Sequence, residues 1–290
     1  MIGREHEGPR SGTGARFADT VAIDFCDGER DLYGIAWITR LPNAGRVRAS
    51  AVVFAGGELA EMTEHEGEGA VDDWGAAQAG GVSMKTAVPL ERWSLAVTGS
   101  SVSLELDSYA LLPPLQLEHP ELASVTGIEQ YEQVCRVDGT LGIAGSSSPL
   151  RGTGRRVHCW GDFGWDRVDR WRSLYAASDG GRAISVAAGR PAGSDGHDSE
   201  LRWARLFGTD TGEPAFDQVR LSTVFDAGGL PAKAGLELLT EGDEFPLRLG
   251  GEAVCGARSE RDGHEIAISF FRWSLEGEPA YGCYEMIVRK

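Results

Sequence analysis

Short runs of alternating apolar and polar residues, cut apart by glycine-rich turns, are what most narrows the folds open to this chain. Thr20-Val-Ala-Ile-Asp-Phe25, Leu32–Ile38, Val47–Phe54, Trp93–Val97 and Val102–Leu106 all follow a period of two. That period sets one side of an extended segment against a core and the other in solvent. Cys26-Asp-Gly28, Pro42–Gly45 and Thr98-Gly-Ser100 separate the runs. The second half repeats the style at Tyr131–Val137, Trp171–Ala176, Ala183–Ala187, Leu201–Phe207, Val219–Phe225, Ala234–Leu239, Ala253–Arg258, Glu265–Trp273 and Tyr281–Val288. Asp138-Gly139, after the first of these, reads as a hairpin turn. Helical periodicity is scarce, so the fold expected is all-β, an antiparallel sandwich or barrel.

A chain of 290 residues holds one large β-domain or two smaller ones. Three prolines in Leu112–Leu122 interrupt strand pairing, and that segment reads as a linker or long connection. A boundary near residue 125 follows, with an N-terminal β-domain over 18–124 and a C-terminal one over 125–290. Residues 1–17 are polar and glycine-rich, without the apolar centre of a signal peptide, and read as a disordered lead-in.

The formal net charge is -16. Such a surface repels phosphate backbones and anionic lipid, so nucleic acid and membrane surfaces are not expected partners. No apolar run approaches the ~20 residues of a membrane span. Five cysteines, an odd number with no C-x-x-C pair, suggest neither a disulfide framework nor a zinc site, and a reducing cytoplasm is the simplest setting.

The densest chemistry lies in Gly152-Thr-Gly-Arg-Arg-Val-His-Cys-Trp-Gly-Asp-Phe-Gly-Trp165. The two glycines form an ordinary turn or permit close backbone approach. On a strand, Arg156, His158 and Trp160 share a face, either as a satisfied core network or as a ligand-facing wall. Asp162 is a turn former, or a proton donor if apolar surroundings raise its pKa; a nearby Arg155 or Arg156 would do the opposite. Trp37, Trp160, Trp165, Trp203 and Trp273 are ordinary core or the lining of an apolar cavity, where an indole face stabilises a cation by ~0.5–2 kcal/mol. Glu129, Tyr131 and Gln133 share one strand face. Glu285 follows Tyr284 in an apolar strand, and such a carboxylate is either buried with a partner or solvated at an edge. There is no G-x-S-x-G, H-E-x-x-H or P-loop, and His6, His65, His119, His197 and His264 lack metal-ligand spacing. No metal and no cofactor is expected.

The order Tyr131-Glu-Gln133, a hairpin, then Gly152-x-Gly-x-Arg156-x-His158-x-Trp160-Gly161 resembles the carotenoid hydratase (hydroxyneurosporene synthase) and AttH-like superfamily. Gly282-x-x-Glu285 is similar to that group's closing strand. The likeness covers 128–165 well, 280–286 loosely and the N-terminal half only in style. It implies two lipocalin-like β-barrels in tandem and chemistry on apolar molecules without a redox cofactor: hydration, terpenoid cyclisation or pericyclic reactions of polyenes. Where the family pattern carries an Arg-Asp pair before the last tryptophan, this chain has Phe163-Gly164, which implies a more apolar site. The resulting expectation is a cofactor-independent lyase or isomerase acting on an isoprenoid or polyene. Asp162 or Glu285 would donate the proton and His158 would orient it or take one back. Arg156, Tyr131, Gln133, Trp37, Trp160, Trp165, Trp273 and Tyr284 would bind the substrate. A pericyclase and a non-catalytic lipid or steroid carrier are the alternatives. Oligomeric state is not legible.

Overall fold

In the computed structural model, residues 2–194, 196, 199–208, 216–275 and 277–290 are described. The chain forms two compact units, Met1–Glu118 with Gly127–Phe163, and His119–Thr126 with Gly164–Lys290. It is all-β, and each unit is built on one antiparallel sheet curled into a barrel.

The first sheet uses β1 (Phe17–Asp27), β2 (Leu32–Leu41), β3 (Arg46–Ala55), β4 (Glu58–Glu68), β5 (Ala77–Ala79), β6 (Val82–Val88), β7 (Arg92–Thr98), β8 (Val102–Ala110), β9 (Leu115–Gln116), β10 (Ile128–Ile143) and β11 (Ser146–Asp162). Their order is β4-β3-β2-β1-β11-β10-β8-β7-β6-β5, with β9 beside β10. The sheet curls until β5 and β6 approach β2 and β3. The alternation in sequence becomes the inward face directly. Trp93, Leu95 and Val97 of β7, Val102, Leu104 and Leu106 of β8, and Val21, Ile23 and Phe25 of β1 fill the barrel.

Two sequence expectations change here. The hairpin does not turn at Asp138-Gly139. β10 runs straight through them, and the chain reverses at Ala144-Gly145, both with positive φ (48° and 84°). Gly139 serves close approach instead, because a Cβ there would stand 2.2 Å from the Glu105 carbonyl oxygen on β8. The lead-in is ordered rather than disordered: a 3-10 turn covers Arg4–Glu7, and Ile2 and Glu7 are buried.

The second unit contains α1 (Pro120–Thr126), a short helix within the proline-broken connection. Its sheet is formed by β12 (Val168–Ser178), β13 (Ala183–Pro191), β14 (Leu201–Phe207), β15 (Gln218–Phe225), β16 (Pro231–Leu239), β17 (Leu247–Arg261), β18 (His264–Leu275) and β19 (Glu278–Arg289), in the order β14-β13-β12-β19-β18-β17-β16-β15. Phe271, Trp273 and Tyr284 pack in its core with Leu174, Leu206 and Leu236. Beside that core, Glu200 takes Arg170, Arg172 and Arg202 as ion partners. Burial pushes its carboxyl up, but the Arg172 charge and its neighbours prevail and hold it below the usual carboxylate range.

Candidate functional site

One parity rule builds the site. β10 and β11 pair so that Tyr131 faces His158 and Gln133 faces Arg156; β1 adds Val21 opposite His158 and Asp19 opposite Trp160. Directly opposed residues on antiparallel strands share a face. The same inward face carries Cys135, Val137, Leu141 and Leu150 further along the hairpin, so it passes from apolar to charged along its length. The glycines of β11 let neighbours come close: a Cβ on Gly154 would lie 2.3 Å from the Asp24 carbonyl oxygen, and one on Gly152 2.0 Å from that of Cys26.

At the charged end, His158 and Asp19 are wholly buried and meet at 2.7 Å between Nε2 and Oδ1. The other oxygen of Asp19 accepts from Arg40 Nη1 at 2.7 Å and from the Arg10 backbone N–H at 2.8 Å. A carboxylate offers only acceptors, so the proton between them sits on His158 Nε2 and leaves Nδ1 as the free lone pair. Burial holds the imidazole below its ordinary pKa; the Asp19 hydrogen bond opposes that without overcoming it. Nδ1 faces the Tyr131 hydroxyl at 3.4 Å. Tyr131 is also wholly buried, and desolvation pushes its phenol well above the usual range, so it stays protonated.

The Tyr131 hydroxyl accepts from Arg156 Nη1 at 2.9 Å and donates to Glu7 Oε1 at 2.8 Å. The second oxygen of Glu7 receives Trp93 Nε1–H at 3.0 Å and the Thr86 hydroxyl at 3.3 Å, and lies 2.8 Å from Arg156 Nη2. The Arg156 guanidinium rests 5.1 Å from the Trp93 ring centre and 5.4 Å from that of Tyr131. The rings of Trp74, Tyr131 and Trp160 surround His158 edge-on at 5.2–6.0 Å. With Glu7 in place, the void beside this cluster, lined by Val21, Ile23, Trp74, Met84, Lys85, Thr86 and Trp93, is about 10 Å³.

Of the residues singled out from sequence, the fold gathers Tyr131, Arg156, His158 and Trp160 here. Gln133 faces the same interior, but its amide N–H groups are spent on the Leu90 and Leu112 carbonyls, both at 3.2 Å. Asp162 is exposed at the end of β11 and accepts the Arg16 backbone N–H at 3.1 Å. Trp37 is half-buried, and its β2 neighbours Ala36 and Ile38 point into the core, so it lies on the outer face. Trp165, Trp203, Trp273, Tyr284 and Glu285 belong to the other unit. Trp273 stacks on Phe271, and the Tyr284 hydroxyl meets Thr223 Oγ1 at 2.7 Å. Trp165 contacts Trp171 and His264, and Glu285 sits in β19 opposite Ser173 and Ile268. His197 lies outside the described residues. Contrary to the apolar site expected from Phe163-Gly164, the cluster is charged.

Sequence reasoning passed over Glu7, Asp19, Arg40, Thr86 and Trp93. Asp19 carried a signal, since it shares the parity of Val21, Ile23 and Phe25. Glu7 carried none, because it sits in a polar stretch with no periodicity.

Solved structures of three proteins resemble the chain closely in fold. The AttH-like protein of Nitrosomonas europaea has a TM-score of 0.69 at 14% identity over 94% of this chain and 92% of its own. CghA, determined with Sch210972, has 0.66 at 14% identity over 95% and 89%. Kievitone hydratase from Nectria haematococca has 0.68 at 12% identity over 99% and 93%. At such identity the likeness establishes the fold, two lipocalin-like barrels in tandem. No curated protein matches the chain by sequence. The profile of DUF7064, described as a domain of unknown function, matches residues 3–289, and the chain therefore belongs to that family.

Proposed function

We propose that the protein is a cofactor-independent enzyme of lyase or isomerase type, adding water to or rearranging an apolar unsaturated substrate. The observation that carries this reading is the buried Asp19–His158 pair beside the Tyr131 hydroxyl, at the end of an otherwise apolar barrel. A neutral imidazole whose Nε2–H is fixed by a carboxylate is a general base at Nδ1. The one phenol proton of Tyr131, kept by burial and given to Glu7 Oε1 in this structure, becomes a hydrogen-bond or proton donor to a developing oxyanion once Glu7 moves aside, and Arg156 supplies compensating charge. This pairing is milder than direct protonation of an isolated alkene. It suits a substrate whose double bond is activated by an oxygen function. The donor role expected of Asp162 or Glu285 therefore moves to Tyr131 in this proposal. Kievitone hydratase, similar in fold, is consistent with water addition. Isoprenoid or polyene substrates, and kinship with carotenoid hydratases, remain supported by the β10–β11 motif. The absence of a disulfide among the five cysteines fits a cytoplasmic setting, and no described helix is long and apolar enough to cross a membrane.

A second reading, a carrier of an apolar ligand, rests on the apolar inward face of the barrel. Mass spectrometry of compounds that co-purify with the protein identifies candidate substrates for both readings. Turnover of these in H₂¹⁸O and D₂O then separates them. For an enzyme, solvent oxygen or deuterium enters the product. His158→Gln and Tyr131→Phe each lower the rate by about 10²–10⁴, while Asp162→Asn and Glu285→Gln leave it intact. Full turnover by His158→Gln and Tyr131→Phe overturns the assignment. Recovery of unmodified ligand with no conversion supports the carrier.

A further inference from the structure

Glu7 is held as a ligand is held. Four donors from four strands converge on its carboxylate: Arg156 from β11, Tyr131 from β10, Trp93 from β7 and Thr86 from β6. All four strands belong to the barrel, whereas Glu7 comes from an irregular segment ending a 3-10 turn. The donors also exceed what Glu7 can use. Arg156 is wholly buried, yet its Nε and Nη2 hydrogens find no aligned acceptor among the described residues. Nη2 meets Glu7 as a charge at 2.8 Å rather than through a well-directed hydrogen bond. Trp74 Nε1, another buried donor without an acceptor, belongs to a ring that lines the adjoining void. Asp19 is engaged by Arg40 and His158, so Glu7 is the carboxylate that balances Arg156.

We propose that these donors form a carboxylate-binding site within the first barrel, that Glu7 is its internal occupant, and that an apolar molecule with a carboxylate head group displaces it. This names the substrate class of the site just described and rests on that reading. The body of the ligand is apolar because five of the seven residues that line the void next to the donors are Val21, Ile23, Met84, Trp74 and Trp93, with Thr86 and Lys85 beside them. The segment that carries Glu7 is the part of this unit fitted to move. Two of its other ties reach inward, the buried Ile2 side chain and the Arg10 backbone N–H to Asp19, and the rest are polar and near the surface: Asn43 Nδ2 to the Gly12 and Gly14 carbonyls, Arg40 to the Arg10 carbonyl, and Arg4 to Glu91. Such ties open locally at lower cost than barrel strands. A tethered occupant competes at an effective concentration on the order of millimolar, so a small carboxylate does not displace it and one with a large apolar body does.

Calorimetric titration with dodecanoate and with dodecanol tests this on the full chain, alongside the NMR signal of the Trp93 indole N–H. Glu7→Ala is expected to bind dodecanoate at least tenfold more tightly than the unaltered protein, to prefer it to dodecanol, and to shift the Trp93 signal on binding. Glu7→Ala combined with Arg156→Met is expected to lose that preference. If Glu7→Ala folds only with an added occupant, dodecanoate is expected to restore the fold where dodecanol does not. Asn43→Ala loosens the segment with every donor in place, and is expected to tighten dodecanoate binding several-fold. Equal affinity for acid and alcohol in both single variants overturns the proposal. His158→Gln keeps the two readings apart. Retained carboxylate preference with unaltered turnover removes the catalytic reading alone, and lost preference in the Glu7 and Asn43 variants with His158-dependent turnover removes this one alone.

Discussion

A buried imidazole beside a carboxylate is pulled two ways, and at His158 burial wins. The sign of the pH dependence follows. Below the ordinary histidine value of 6.5 the unfolded chain takes up a proton that the folded chain refuses, so this contribution is present above about pH 6.5 and is lost as pH falls. The slope is at most about 1.4 kcal/mol per pH unit for one proton. Urea midpoints measured from pH 5 to 8 should show it, and His158→Gln should flatten the curve by that one proton. A second residue-scale expectation concerns Cys135, whose thiol burial pushes up to about 12. It should resist thiol reagents in the native protein and react only on unfolding, read by mass-spectrometric labelling. A third concerns Arg155, which faces away from Arg156 and pairs with Asp24 at 3.0 Å and Glu132 at 3.3 Å, all buried. Replacing Asp24 by Asn leaves buried charge poorly compensated and should cost about 3–5 kcal/mol in denaturant unfolding. At this scale the sequence disclosed half of each interaction. Arg156, His158 and Tyr131 stand out as costly to bury. Their partners Glu7 and Asp19 sit far off in sequence, 139 residues for the Asp19–His158 bond, and no local pattern joins them.

The β10–β11 hairpin shows why its glycines matter. Gly139, Gly152 and Gly154 lie on extended strands where a side chain would strike the backbone of the neighbouring strand. They let β10 approach β8 and β11 approach β1 closely. Gly154→Ala should therefore destabilise the protein by about 1–3 kcal/mol, an overpacking cost seen in thermal unfolding, although its backbone suits any residue. Element identity was legible because period-two alternation is a direct image of inside and outside. The turn position was not, since Asp-Gly is a strong hairpin signal and here yields to a glycine required by strand approach. The order of the lead-in was also hidden. It is fixed by Asn43, Asp19 and Arg156, which become its neighbours only after the barrel forms.

For the molecule as a whole, a formal charge of -16 sets a background of self-repulsion. Screening shortens its reach from about 30 Å at 0.01 M salt to about 8 Å at 0.15 M. The melting temperature should therefore rise by several degrees over that range. A fall would mean that the attractive ion pairs, such as Arg40–Asp19 and those of Glu200, dominate instead. The all-β class was readable from pattern alone. The closing of β1 onto β11 was not, because its pairs join residues such as Asp24 and Arg155, 131 apart. The stacking of the Arg10 guanidinium over the Trp160 ring, 4.4 Å from its centre, has an optical consequence. Trp160 touches both the lead-in and the His158 ring. Its emission should change in colour and yield whenever Arg10 lifts away, so the protein carries its own fluorescent gauge of whether the lead-in is seated. The signal is isolated from the other seven of its eight tryptophans by difference against Trp160→Phe.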